Sequence, residues 1–196
     1  WGGTDPIVIA AQMVTALQTI VSRQVDISAN PAVVTVGAIK GGIRSNIIPD
    51  EVEMIGTVRT FDVEQRADVL ARMRRTIDGI AAANGTTATF EIEGRSNPVV
   101  YNNPDLTAKM LPSLRRVVGA ANVRAIPLVT GAEDFAYFAE KVPSLFFFVG
   151  ITPPGQSTAT APSNHSPLFY VDETGIPIAA RALASVAVDY LTSAQP

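Results

Sequence analysis

Hydrophobic residues recur every three or four positions in two stretches of the first half of the chain, and each stretch predicts a helix. The first helix begins at Pro6, with Thr4 or Asp5 as its cap. The second follows Asp62, a capping residue, and stops at Asn84 beside a glycine. The stripe expected to face the core on the second helix is Leu70, Met73, Ile77 and Ile80.

Strands are predicted between and after these helices by β-branched content and by alternation of apolar and polar residues. They cover residues 32–39, 51–61 and 87–93. The resulting order, helix-strand-strand-helix-strand, is a ferredoxin-like β-α-β-β-α-β sandwich without its first strand. The sequence therefore predicts a ferredoxin-like α-β domain over residues 1–101, in a chain cut from a longer protein just upstream of Trp1.

Residues 102–196 have the pattern of the last part of an α/β domain. A helix starts at Asn103, and Pro112 is expected to kink it or divide it in two. Strands are expected at 123–129 and 145–149; the second is apolar on both faces, as in a sheet covered by helices. A short helix is expected at 133–140. A final helix, capped by Asp172 or Thr174, is also expected. Its inward-facing residues are predicted to be Leu183, Val186, Ala187 and Tyr190.

The composition narrows the class of protein. The 196 residues are 47% hydrophobic and 17% charged, a balance that favours a packed core over disorder. The net charge of −3 makes nucleic acid an unexpected partner. The apolar runs are too short to predict a membrane span. There is no Cys, which excludes disulfides and thiolate metal sites and leaves the cellular compartment unassigned.

His165 is the single imidazole of the chain and follows a loop rich in Pro, Ser and Thr. Such a residue either bonds a backbone carbonyl or acts as a metal ligand or general base. Because one imidazole is the whole supply, a metal centre built from several histidines requires residues from outside this chain.

Two carboxylates, Glu133 and Asp134, stand just after Gly131 at a predicted helix start. Acidic residues are favoured there by the free N–H groups and the helix dipole. The alternative is an acidic loop beside a cationic centre, where the glycine lets the backbone approach a ligand.

Asn46 precedes the second predicted strand, and Arg59 lies near the end of that strand. Asn46 is a polar residue in the turn region that follows Gly41 and Gly42, and its amide is either part of a hairpin connection or a donor to a carbonyl or oxyanion. Arg59 is either a solvated charge or a two-pronged clamp on a carboxylate.

In their order along the chain, these motifs resemble peptidase family M20, the dinuclear-zinc amidohydrolases and exopeptidases that include aminoacylases, hippurate hydrolases and auxin-conjugate hydrolases. Of the branches of this family, the Gly131–Phe135 motif resembles the N-acyl-amino-acid hydrolases most. The segments that carry the resemblance are Pro6 with the helix that it begins, and residues 41–50, 56–61, 131–135 and 164–169.

The resemblance implies metal-assisted hydrolysis of the amide bond of an N-acyl amino acid or peptide. It implies a two-zinc catalytic domain (cobalt or manganese are alternatives) with an inserted ferredoxin-like lid, here residues 1–101, through which the protein forms homodimers. His165 corresponds to the last metal ligand, and Asn46 and Arg59 to lid residues that meet the substrate carbonyl and carboxylate. The positions that correspond to the wall beside the metals are Glu133, Asp134 and Gly150.

The chain also departs from the family pattern. Most metal ligands of the family, and the glutamate that activates water, lie upstream of the lid, so the catalytic residues are expected before Trp1. A catalytic zinc needs about three protein ligands. This chain by itself is therefore expected to bind no zinc and to be inactive.

Two other functions fit parts of the pattern. One is a non-catalytic ferredoxin-like module for ligand binding or dimerisation, in which the edge left by the missing strand pairs with another chain. The other is a hydrolase that uses Ser163 or Ser166 with His165, which conflicts with their closeness in sequence and with the lack of a nucleophile-elbow motif.

Overall fold

The computed structural model describes residues 1–93 and 96–193, and the chain divides into two compact units. Unit 1 consists of Trp1–Val99 and Thr130–Glu133, and unit 2 of Val100–Val129 and Asp134–Pro196. Residues 194–196, which end the second predicted domain, lie outside the described residues. Helices and a sheet are both present, so the predicted mixed α and β class is confirmed.

Unit 1 contains two long helices and two strands, in the order α1 (Pro6–Gln24), β1 (Ala32–Gly41), β2 (Val52–Thr60) and α2 (Val63–Ala83). Both predicted N-caps form, because each carboxylate accepts a backbone N–H left without a partner in the first helical turn. Asp5 accepts from the N–H of Ile7 at 2.9 Å, and Asp62 from that of Gln65 at 2.7 Å.

The two strands form an antiparallel hairpin with a defined register. Val33 lies opposite Arg59, and Gly37 is the extra residue of a bulge in β1. A side chain at Gly56 would put its Cβ 2.3 Å from the carbonyl oxygen of Thr35, so only glycine permits this close approach of the strands. The alternation predicted for β2 is present, with Met54 partly buried and Arg59 exposed.

The core of unit 1 lies between the two helices and the inner face of the hairpin. Val69 and Ala81 are fully buried on α2, whereas Leu70 and Ile80, predicted for that role, are only partly buried beside them. The prediction was therefore wrong at the two ends of the stripe and correct at Met73 and Ile77, which are buried. The buried cluster is Ile9, Met13, Leu17, Ile20, Val34, Val69, Met73, Ile77 and Ala81.

Unit 2 consists of α3 (Pro104–Val118), a 3-10 turn (Ala120–Asn122), α4 (Ala136–Ala139) and α5 (Gly175–Thr192). Asn103 caps α3 by accepting the N–H of Leu106 at 2.9 Å. Because α3 continues through Pro112, the expected division at this proline is wrong; the expected kink stays a prediction. The helix predicted at 133–140 is confined to the four residues of α4.

The α3 and α5 helices pack on each other around a polar contact. The buried Ser113 hydroxyl and the Arg116 guanidinium both donate to the Asp189 carboxylate. These bonds lower the pKa of Asp189, and the bond from Ser113 has the largest effect.

The inward face predicted for α5 was mostly wrong. Leu183 and Tyr190 are exposed, as is Ala187, while Val186 is half-buried and Ala182 is buried. Asp189 has to face α3 to receive its two donors, and this contact turns the apolar stripe through Leu183 to the outside. A stripe chosen by hydrophobicity alone misses that rotation.

Three predicted strands, at 87–93, 123–129 and 145–149, are not strands in the described part of the chain, whose sheet has only β1 and β2. A strand needs a hydrogen-bonded neighbour, and these segments have none among the described residues. The first keeps part of its alternation, because Ala88 and Phe90 pack against the unit 1 core while Ile92 is exposed.

The length and apolarity of α1 meet the criteria for a membrane-spanning helix, with a mean hydropathy of 1.2. A core helix of a soluble protein passes the same test, and five residues on one face of α1 are buried in unit 1. The residues on its other face are exposed.

Candidate functional site

The loop that carries Asn46 leaves β1 through Gly42, whose φ of 74° suits only glycine without strain. A turn follows in which the N–H of Ile47 donates to the carbonyl of Arg44 at 3.4 Å, and Asn46 lies exposed within this turn. The amide side chain of Asn46 therefore lies on the surface of unit 1 and is not buried in the core.

Arg59 lies at the end of β2, and its guanidinium donates to the carbonyl of Thr130. This bond explains why Thr130–Glu133 groups with unit 1 although it is far away in sequence. Glu133 is half-buried in the same segment. The structure thus places Arg59 beside the segment that contains Glu133.

Asp134 and Gly150 belong to unit 2 and are both exposed. The carbonyl of Asp134 accepts the N–H of Tyr137 at 3.0 Å, in the turn that leads into α4. Gly150 has no atom within 4 Å of the position that a Cβ would take.

His165 lies in a long loop that is closed at its base. The N–H of Asp172 donates to the carbonyl of Ile151 at 2.9 Å, and the Tyr170 hydroxyl donates to the side-chain carbonyl of Gln156. His165 itself is exposed, so it is not a packing residue of a core.

Asn102 is a positioning residue that the sequence analysis missed. Its amide brackets the backbone of Phe146, donating to the carbonyl at 2.9 Å and accepting the N–H at 2.7 Å. It thereby replaces a neighbouring strand for the segment that leads to Gly150. The sequence has two asparagines before Pro104, of which a helix start needs only Asn103 as its cap. The additional Asn102 was the available sign of a second role.

Comparison with known proteins decides the family. Residues 3–189 match the family described as "Peptidase family M20/M25/M40". The chain belongs to this family.

The M20 relatives are enzymes by name. The chain is 33% identical over 186 residues to thermostable carboxypeptidase 2 of Saccharolobus solfataricus, covering 95% of this chain and 46% of that protein. It is 37% identical over 191 residues to an IAA-amino acid hydrolase (ILR1-like 2) of Arabidopsis thaliana, covering 95% and 42%. The chain therefore spans about half the length of the M20 relatives that it matches.

A solved M20 structure is similar over nearly the whole chain. It is the YXEP protein of Bacillus subtilis, described as a dinuclear metal binding peptidase, with 31% identity and a TM-score of 0.70 over 95% of this chain and 46% of that one. In residues 1–93 and 96–193 of the present chain, no group of three or more His, Asp or Glu could hold a metal ion. The described residues of this M20 chain therefore do not by themselves supply the donor set of a dinuclear centre.

Asp172, at the base of the His165 loop, gives a testable pH dependence. Its carboxylate accepts the hydroxyl of Thr174 at 2.7 Å and the N–H of the same residue at 3.0 Å, and these bonds lower the pKa of Asp172. Because its pKa is lowered in the folded state, the ionised Asp172 stabilises the fold at any pH above its unfolded-state pKa. This stabilisation is lost as the pH falls through the folded-state pKa. We expect Asp172→Asn to lower the melting temperature at pH 7 but not at a pH below the lowered pKa.

The control for this prediction is Glu173→Gln, which removes the same charge from the exposed neighbour. Melting curves of both variants and the wild type are compared across the acid range. Equal behaviour of the two variants at every pH would show that the loop-base hydrogen bonds make no contribution.

Proposed function

We propose that this chain is the lid and the final part of the catalytic domain of a metal-dependent amidohydrolase acting on N-acyl amino acids or peptides. The observation that carries the proposal is the M20 match across residues 3–189, which includes every candidate site residue. The carboxypeptidase and amino acid hydrolase names among the relatives support an amide substrate with a free carboxylate.

Residues 1–101 are proposed as a ferredoxin-like lid. The antiparallel hairpin beneath α1 and α2 supports this arrangement. So does the segment 87–93, which lies against α2: Arg74 donates to the carbonyl of Phe90 at 2.8 Å and stacks on its ring. A strand contributed from upstream of Trp1 completes the sandwich in this proposal, and homodimers form through the lid. Residues 102–196 are proposed as the end of the catalytic domain.

Each candidate residue has a role in the proposed reaction. Arg59 binds the substrate carboxylate and Asn46 donates to the carbonyl oxygen as negative charge develops on it. Glu133, Asp134 and Gly150 form the wall beside the reacting centre. His165 is one ligand of a zinc centre, with cobalt or manganese as alternatives, and its other ligands come from outside this chain. Bound zinc lowers the pKa of a water molecule to about 7.

The test compares this chain with the protein extended by the coding region upstream of Trp1. Both are assayed with zinc on a panel of N-acyl amino acids. We expect chelator-sensitive hydrolysis by the extended protein and no turnover by the 196-residue chain, which lacks a complete ligand set.

Two outcomes would contradict the proposal. Chelator-sensitive turnover by the chain alone would show that it holds a complete centre. An extended protein that binds N-acyl amino acids without hydrolysing any of them would favour the non-catalytic ferredoxin-like binding module.

A further inference from the structure

The α5 helix carries only two charged residues in its 18 positions, Arg181 and Asp189. Asp189 has its partners on α3, where Ser113 and Arg116 both donate to its Oδ2 atom. Arg181 is exposed, and no described residue accepts a hydrogen bond from its guanidinium or forms an ion pair with it. Within the part of the chain that the structure describes, Arg181 is therefore a positive charge without a counter-charge.

A shallow hollow between α3 and α5 is bordered by both of these charges. Its volume of about 330 Å³ is at the small end of the range for ligand sites, about 300–1,000 Å³. Two guanidinium groups from two different helices border this one hollow. Its lining residues are Arg116 from α3 and, from α5, Arg181, Ala184, Ser185, Val188 and Asp189.

The Ser185 hydroxyl adds an uncharged donor to the hollow. Ser185 is half-buried, and its hydroxyl has no hydrogen-bond partner among the described residues. Arg181 precedes Ser185 by four positions, so the two side chains lie on one face of α5 with their Cβ atoms about 5–6 Å apart. A serine hydroxyl in a helix often bonds the carbonyl one turn earlier, whereas the hydroxyl of Ser185 remains available to a ligand.

The carboxylate of Asp189 does not cancel the charge of Arg181. Asp189 is already paired with Arg116, and the hydrogen bonds from Ser113 and Arg116 lower its pKa, so it is ionised at neutral pH. Two arginines against one carboxylate leave the hollow with a net charge of +1. The Arg116 side chain is still 61% exposed, and a guanidinium has five N–H donors, so Arg116 can bind a ligand while it keeps Asp189.

The helix dipole explains one of these arginines and not the other. Arg116 lies in the last turn of α3, where the terminal carbonyl groups favour a positive charge. Arg181 lies in the second turn of α5, in the half nearer its N-terminus, where the dipole gives a positive charge no advantage. The position of Arg181 therefore needs another explanation, and a bound anion supplies one.

The hollow and the exposed apolar side of α5 lie nearly opposite each other on the helix. Leu183, which is 64% exposed, follows Arg181 by two positions, a rotation of about 200° around the helix axis. A neighbour that covers Leu183 therefore need not cover Arg181 or Ser185. The hollow is a separate feature of unit 2 that stays accessible to a small ligand.

We propose that the hollow between α3 and α5 binds the phosphate group of a small molecule, with Arg116, Arg181 and Ser185 as donors. A guanidinium donates two parallel hydrogen bonds to a pair of phosphate oxygens. The oxygens of a tetrahedral phosphate accept from two helices and a hydroxyl at once, whereas the two oxygens of a carboxylate lie in one plane. Free phosphate and a phosphate monoester present this same group, and their relative affinities distinguish them.

The test is a titration of the isotope-labelled 196-residue chain with inorganic phosphate, followed by the NMR signals of the arginine Nε–H groups. We expect the signals of Arg116 and Arg181 to shift with a Kd on the order of 1 mM, since the hollow is open to water and to salt. Arg181→Gln removes a charge-assisted contact and is expected to raise the Kd at least about tenfold. Ser185→Ala removes a neutral donor and is expected to raise it about threefold.

The matched control is Arg115→Gln, at an exposed arginine of α3 that does not line the hollow. It removes the same charge from the same unit and should leave the Kd within about twofold of the wild-type value. Sodium chloride keeps the ionic strength constant in every titration, because screening alone weakens contacts between exposed charges. Arg181 and Ser185 make no contact with another side chain of the described residues by hydrogen bond or ion pair, so both variants are expected to melt at the wild-type temperature.

Glycerol phosphate and acetate complete the comparison. Tighter binding of glycerol phosphate than of inorganic phosphate would assign the hollow to a phosphate monoester, and equal or weaker binding to free phosphate. Acetate that binds as tightly as phosphate would overturn the choice of ligand class. The site itself would be overturned by an Arg181 signal that does not move up to about 20 mM phosphate, or by an equal rise of the Kd in Arg181→Gln and Arg115→Gln. Because the readout needs neither a metal nor turnover, none of these results depends on the proposed hydrolase function.

Discussion

Replacing Arg59 with alanine in the active, extended protein is expected to lower kcat/KM for N-acyl amino acids by roughly 30- to 1,000-fold. The reason is the loss of a charge-assisted, two-pronged contact with the substrate carboxylate, worth about 2–4 kcal/mol. In this structure the guanidinium donates to the neutral carbonyl of Thr130. An ionised carboxylate is a stronger acceptor than a neutral carbonyl, so substrate is expected to take over this donor. Arg59→Lys keeps the charge but not the planar fork, and should recover only part of the activity.

The decisive control for Arg59 is a substrate whose carboxyl group is amidated. The wild type should handle it as poorly as Arg59→Ala handles the acid, and the variant should show little further loss. Arg44→Ala, at an exposed arginine in the loop of the same unit, controls for the loss of one positive charge. An equal loss for the acid and the amide in Arg59→Ala would assign Arg59 to the structure of the 130–133 segment instead of the substrate.

Local rules sufficed for unit 1 because its elements are determined by neighbours in sequence. The carboxylates of Asp5 and Asp62 bind N–H groups two or three residues away, and both caps could be predicted from sequence alone. The hairpin follows from two β-rich segments and the glycines between them. Two predictions for unit 1 were wrong. The segment 87–93 is not a strand in the described part of the chain, and at the ends of the buried stripe of α2 Val69 and Ala81 replace Leu70 and Ile80.

Unit 2 could not be predicted to the same extent, because its contacts join residues distant in sequence. Ser113 and Asp189 are 76 positions apart, and their hydrogen bond determines which side of α5 faces inward. The apolar pattern of 145–149 predicts a strand, but the bonds given to Phe146 come from the Asn102 side chain. Hydrophobic periodicity carries no information about such polar partners.

The candidate site was predicted in its parts rather than in its assembly. Motif order identified the family, and the roles of His165 and Asn46, both exposed, stay predictions. The bond from Arg59 to Thr130 could not be foreseen, because an arginine at a strand end has no signature for a backbone carbonyl 71 residues away. Sequence patterns show which side chains are available, and the fold determines which groups they reach.

Replacing His165 with alanine in the extended protein is expected to lower both the bound metal and the activity, the latter by roughly 10³-fold. Loss of a residue that only orients a metal ligand typically costs 10- to 100-fold, and loss of a ligand itself costs more. No other imidazole in this chain can take its place. The metal-to-protein ratio, measured by mass spectrometry of the metal, is the readout that separates ligation from a general-base role. A general base could be lost with the metal retained.

The control for His165→Ala is Asn164→Ala, which disturbs the adjacent exposed position of the same closed loop. It should leave the metal content unchanged, because the backbone bonds that hold the loop, from Asp172 to Ile151 and from Ser166 to Ser163, do not use the Asn164 side chain. Full metal occupancy together with wild-type kcat/KM in His165→Ala would remove the imidazole from the centre. The exposure of His165 would then reflect only its position in a surface loop, and any metal ligand from this chain would have to be a carboxylate.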